Sequence, residues 1–237
     1  AARGGPAAPT PPAQASPPAP PPAPPPGPPA STAGTTAYGA AAPARESAQE
    51  ADPVCKSLDS EPVHTEKIVA ADGNLANVFV YVKEGVSGSY SAPAESALLD
   101  QNGCQYVPHV SGIQVGQTLV IRNSDATLHN VHAMPSKNDE FNQGQPFQDM
   151  ELETTFDQAE VMVPFKCDVH PWMASYMGVM DHPFFAVSGA DGSFSIAGLP
   201  AGDYEVEDWH EELGTKSLNV TVAADGTAEA NFDFSPT

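Results

Sequence analysis

Cys167-Asp168-Val169-His170-Pro171-Trp172-Met173 places a thiol, an imidazole and a thioether on one short stretch, while His129 lies well upstream in Leu128-His129-Asn130-Val131-His132. For these four donors to meet, the short stretch must close as a tight loop and a strand from elsewhere must bring the histidine. The chain is thereby constrained to a fold in which strand ends lie side by side. A thiolate and two imidazoles in a plane, with a weak thioether on the axis, select copper and let it change oxidation state. Zinc accepts the same donors but gains nothing from the thioether. A dicopper centre needs a second cysteine in the loop, where Cys167 stands alone. A catalytic Cys/His pair leaves Met173 and His129 without a part.

The spacing Cys-x2-His-x2-Met, the upstream His129-Asn130 and Gly116-Gln117-Thr118-Leu119-Val120-Ile121-Arg122-Asn123 resemble segments of amicyanin-type blue copper proteins, the cupredoxins. The resemblance spans roughly residues 97 to 180. It implies a Greek-key β-sandwich with His129, Cys167, His170 and Met173 as the ligands of one type 1 copper. It further implies that Asn130 hydrogen-bonds across to the ligand loop, and that the edge of His170, flanked by Pro171 and Trp172, is the accessible electron port. Strand alternation sends His132 to the opposite face from His129, as a supporting or surface residue. Met177 is a rival axial donor that packing in the core explains as well.

Fourteen of the 26 prolines fall in residues 1 to 30, where most other residues are alanine. Such composition favours an extended polyproline conformation and predicts a disordered tether over 1–52, with the folded part starting near Asp52. No secretory signal opens the chain at Ala1-Ala2-Arg3, which reads as a processed, exported sequence. No apolar run reaches membrane-spanning length, so membrane association is expected only through the tether or a lipid anchor. In an exported chain the remaining cysteines, Cys55 and Cys104, are expected to pair as a disulfide, with two separate buried thiols as the alternative.

Thirty acidic residues face nine basic ones, for a net charge of −21. Arg3 and Arg45 both precede the first acid, so the folded part carries a net −23. Nucleic acid is excluded as a partner by repulsion. The acidity fits adaptation to salt or steering of a basic redox partner; the scarcity of lysine along the whole chain favours salt.

From Lys67 onward the pattern is all-β, with no sustained helical period. Val78 to Val82 and Gln117 to Arg122 read as strands, residues 135 to 150 as a polar loop, and Glu160 to Cys167 as the strand that delivers the thiolate. Pro164 predicts an edge or a bulge there. After His182, strands at Phe184–Val187, Ser193–Ile196, Tyr204–Trp209, Leu218–Val222 and Ala228–Phe234 alternate with turns and predict a second small β-sandwich. Asp191-Gly192-Ser193-Phe194 through Tyr204 resembles carboxypeptidase regulatory-like, transthyretin-like modules, which are non-catalytic. In these modules an early strand resembles residues 72–82. Domains are therefore expected at 1–52, 53–181 and 182–237, with the copper domain either ahead of the second sandwich or inserted into it and the latter completed by 66–84. His182, His210, Glu211 and Glu212 read as ordinary solvated charge at a strand end rather than a second metal site.

The expected function is that of a mononuclear copper protein, not an enzyme. It would shuttle single electrons between redox proteins, such as a cytochrome or terminal oxidase, in the periplasm or at the outer cell face. Copper storage or delivery, and a structural role at the cell surface, are the competing readings.

Overall fold

The computed structural model describes residues 30–40, 42–43, 46–58 and 63–236, and they build four sheets stacked face to face. The expected tether over residues 1–29 lies outside the described residues. The first sheet centres on β1 (Ser31–Tyr38), which pairs antiparallel with β15 (Ser193–Ala197) and β3 (Asn74–Leu75) and parallel with β18 (Thr227–Glu229) and β19 (Phe232–Phe234); β2 (Ala70–Ala71) continues from β3. The second sheet runs β14 (Phe185–Val187), β4 (Phe79–Glu84), β16 (Gly202–His210), β17 (Gly214–Val222). In the third, β10 (Phe141–Gln145) lies beside β9 (His129–Ala133), then β12 (Glu160–Lys166), β13 (Ala174–Met180) and β7 (Val110–Gln114). The fourth is β11 (Met150–Thr154), β8 (Leu119–Asn123), β5 (Ala97–Asn102) and β6 (Gln105–Val107).

Alternation along β4 explains the stacking. Val80 and Val82 turn one way, into a core with Phe194, Ile196, Val206, Val222 and Phe232 between the first and second sheets. Phe79 and Tyr81 turn the other way, onto Val110, Met162 and Met180 of the third sheet. A strand buried on both faces loses polar alternation, which is why Phe79-Val80-Tyr81-Val82 is continuously apolar. The last interlayer, between the third and fourth sheets, is filled by Leu99, Ile113, Ile121, Val131, Phe165 and Met177. Gly112 and Gly178 sit opposite each other on β7 and β13 and leave a socket for the Phe79 ring; a methyl group on either would collide with it.

Two expected boundaries move. Ser31–Tyr38 is a central strand of the second sandwich, not part of a linker. It is built from small residues because neighbours approach closely: a side chain at Gly34 would strike the Ala230 carbonyl, and the Thr36 hydroxyl donates to Leu75 O at 2.6 Å. Residues 70–84 also belong to that sandwich, so the span 53–181 is not one unit. The sandwich from β5 to β13 is inserted between β4 and β14, which are antiparallel neighbours.

Residues 135–150 are not a simple loop. They contain β10, whose edge position leaves both faces polar and so hides it from a hydrophobic pattern; Gln145 anchors it, donating to Ile121 O and Met150 O. Pro164 lies not at an edge but inside β12, where the register against β13 shifts between Glu160 and Val163. The backbone of Met162 takes a positive φ within that bulge. No helix among the described residues is long and apolar enough to cross a membrane.

Candidate metal centre

At one end of the inserted sandwich, β9 begins at His129 and β12 runs out at Lys166, so the first histidine and Cys167 arrive from adjacent strands. The loop then closes on itself: Cys167 N–H donates to Met173 O at 3.2 Å and Met173 N–H to His170 O at 2.9 Å. A donor atom from each of His129, Cys167 and His170 lies within 4.8 Å of the others, and all three side chains are buried. The two Nδ1 atoms stand 2.8 Å apart, and Cys167 Sγ is 3.8 Å from His170 Nδ1. Met173 is buried beside Cys167 in the same core, as is Met177 further along β13.

Asn130 organises the loop. Its side-chain oxygen accepts the N–H groups of Asp168 (2.7 Å) and Val169 (3.2 Å) and lies 3.3 Å from Cys167 Sγ. Tyr106 donates its hydroxyl hydrogen to Asn130 O at 2.6 Å, fixing that strand from behind. The His170 N–H donates to Cys167 Sγ at 3.3 Å. Burial pushes the Cys167 thiol up, but its hydrogen bond with His129 and the backbone donors of the loop outweigh that and hold it below its ordinary value. His132 faces away from the cluster, between Asp168 (3.1 Å) and Glu140 (2.6 Å).

Sequence reasoning missed what lies behind the imidazoles. Asp125 accepts from His129 Nε2 at 2.8 Å and from the N–H groups of Gly103 and Cys104. Burial opposes its ionisation, yet these donors keep the carboxyl below its usual value. The same contact raises His129 against the effect of burial. His170, lowered first by burial and then by the charge of His129, meets Asp52 Oδ2 at 3.5 Å and Cys55 Sγ at 3.7 Å through Nε2.

The expectation of an open His170 edge is therefore overturned: the residue is 2% exposed. Its cover is the short helix α1 (Pro53–Leu58), started by Asp52, whose Oδ1 accepts the N–H groups of Val54 and Cys55, with proline at the first helical position. Cys55 and Cys104 form a disulfide that ties α1 to the sandwich. Trp172 lies with its ring centroid 5.0 Å from that of His170, tilted by 45°, and donates Nε1–H to Cys104 O, while Pro171 is exposed. A six-residue helix whose partner is distant in sequence leaves no periodic signal, so the cap was not legible.

The second histidine group is dispersed. His182 Nε2 donates to Val82 O, and His210 is buried with its Nδ1 accepting the Glu212 N–H. Glu211 is not solvated: its side chain is 6% exposed and pairs with Nε2 of His109, whose Nδ1–H donates to Ala174 O beside the ligand loop.

The donor set suits copper. Two imidazoles converge through Nδ1 on a buried, acidified thiol, with a thioether on the same closed loop, which is the soft and borderline mixture that copper takes in both its oxidation states.

No family model and no curated protein matches the chain. Among solved structures, an oxidised mutant of amicyanin is 24% identical over 35% of this chain and 81% of that one, with a TM-score of 0.32. A purple cupredoxin from Nitrosopumilus maritimus is 21% identical over 35% of this chain and 99% of its own, with a TM-score of 0.31. A cuprous methionine-to-alanine mutant of amicyanin gives 20% identity over 42% and 97%, and a TM-score of 0.32. At these scores the likeness decides nothing, and the donor geometry carries the reading.

Proposed function

We propose that the chain is a one-electron carrier that holds a single copper through His129, His170 and Cys167, with Met173 as a weak fourth donor. The observation that supports this most is the convergence of one thiol and two Nδ1 atoms in a buried cluster closed by a short loop. Copper bound there supplies a one-electron couple between cuprous and cupric states. The protein's part is to keep the donors fixed and dry. Asn130 and the His170 N–H hold the sulfur side, and Asp125 orients His129 through its Nε2–H.

The covered His170 alters how a partner reaches the centre. Val54 and Leu58 on α1, with Val169 on the loop, present exposed apolar side chains over the same end. A redox protein outside the cytoplasm, docking transiently, would meet this cap rather than the imidazole itself. In this proposal the second sandwich is a non-catalytic carrier of the inserted one, a role suggested by the resemblance of β15 and its following turn to regulatory-like modules.

Copper per chain and the visible spectrum test the reading together. One copper with an intense thiolate-to-copper band supports it. Several colourless cuprous ions point to storage, and no retained copper after metal addition points to a structural module.

A further inference from the structure

Electron carriage through the His129–Cys167–His170 cluster leaves unused a second set of donors directly behind it. Donor atoms of Asp52, Cys55 and His170 lie within 4.8 Å of one another, and so do those of Cys104, Asp125 and His129. The Cys55–Cys104 disulfide joins the two groups, and both cysteines are fully buried. The sulfur pair thus sits between two carboxylates, under α1 and beside Gln49, whose side-chain amide donates to Gly103 O at 2.9 Å.

We propose that the Cys55–Cys104 pair is a second, conditional metal site, which takes one cuprous ion between its two sulfurs when the disulfide is reduced. Reduction by a phosphine breaks the S–S bond, and water supplies the oxygen of the phosphine oxide and the two thiol hydrogens. Binding of the ion then releases both protons. Two thiolates and one cuprous ion leave a single net negative charge beside Asp125 and Asp52, so the ion offsets half of the buried charge that deprotonation creates. Thiolate pairs prefer a soft monovalent cation, which names copper(I) over harder ions.

The carboxylates have different parts. Asp125 is committed to three donors, the Gly103 and Cys104 N–H groups and His129, and contributes charge alone. Asp52 caps α1 through Oδ1, while its Oδ2 faces His170 Nε2 at 3.5 Å and is placed to turn toward the ion. For the two sulfurs to take one ion between them, the six-residue α1 that carries Cys55 has to shift away from Cys104 once the S–S bond is broken.

Titration of the full chain with cuprous ion, without oxygen and against a chromophoric cuprous chelator, tests the site before and after treatment with a trialkylphosphine. The expected count is one ion per chain with the disulfide intact and two after reduction. The second is lost in Cys55→Ser and weakened about tenfold in Asp52→Asn, on the scale of supporting contacts at metal sites. Asp52→Asn keeps both sulfurs, so it remains decisive if Cys55→Ser fails to fold; unchanged affinity there removes Asp52 from the site. One ion in both states overturns the second site and leaves the first standing. None in either state overturns both, and a second ion that survives Cys55→Ser overturns the assignment to these sulfurs.

Discussion

The carboxylate of Asp125 stands 2.8 Å from Nε2 of His129, on the side of the ring that faces away from His170 Nδ1. A buried negative charge in that position favours the more positive metal state and fixes the tautomer that leaves Nδ1 free to bind. Asp125→Asn is therefore expected to raise the reduction potential and to weaken copper binding by about ten- to a hundredfold. Redox titration beside a copper competition assay measures both, and an unchanged potential removes the electrostatic role.

Met173 and Met177 are both buried near Cys167, but only Met173 belongs to the closed loop. Met173→Leu should keep copper and colour and raise the potential, because loss of a thioether donor disfavours the cupric state. Met177→Leu should leave the potential unchanged and cost under about 1.5 kcal/mol, as volume-conserving core swaps do. Cys167→Ala should abolish the colour. A shift in Met177→Leu without one in Met173→Leu transfers the axial role to Met177.

Asp208 on β16 is fully buried; its Oδ1 accepts the Lys216 N–H at 2.7 Å and its Oδ2 has no hydrogen-bond partner among the described residues. Burial raises its pKa from 3.8 to about 7. The folded chain thus holds this proton where the unfolded chain releases it. Its contribution is complete below about pH 4 and is lost as pH rises through about 7, by an amount on the order of a few kcal/mol. Asp208→Asn, which retains the acceptor for Lys216, should be more stable than the parent at pH 8 and nearly equal at pH 4. Urea melts at the two pH values decide this, and a parallel shift at both removes the titration from the account.

The −23 net charge of the chain beyond Arg45 predicts that salt stabilises the fold, since ions screen repulsion between exposed carboxylates within about 10 Å at 0.1 M. The melting temperature should rise from dilute buffer to molar potassium chloride. A flat or falling value counts against adaptation to salt.

The ligand loop was legible because its donors are local and chemically unlike one another, and the strands after His182 because one face alternates with turns between them. What escaped depends on partners far along the chain. Before Tyr38, β1 is all Ser, Thr, Ala and Gly, with the buried Thr36 hydroxyl bonded to Leu75 O and Gly192 O, so it carries no hydrophobic pattern. The exposed His170 edge was what the resemblance of the ligand loop implied, and that loop contains nothing of Asp52 or Cys55. Glu211 looked solvated because its partner, His109, lies about a hundred residues away, just before β7 of the other sandwich.

Insertion of one sandwich between β4 and β14 also sets an order of events while the chain is being made. β1 is the first described strand to leave the ribosome, but the strand it pairs with most extensively, β15, begins at Ser193. At 5–20 residues per second that separation is a wait of roughly 10–30 s. Over the same interval all the strands of the inserted sandwich, β5 to β13, emerge, so it can close while β1 has only the short β3 beside it. The earliest strand is thus among the last to be paired, and the chain's most vulnerable stretch during synthesis is the one that later sits at the centre of a sheet.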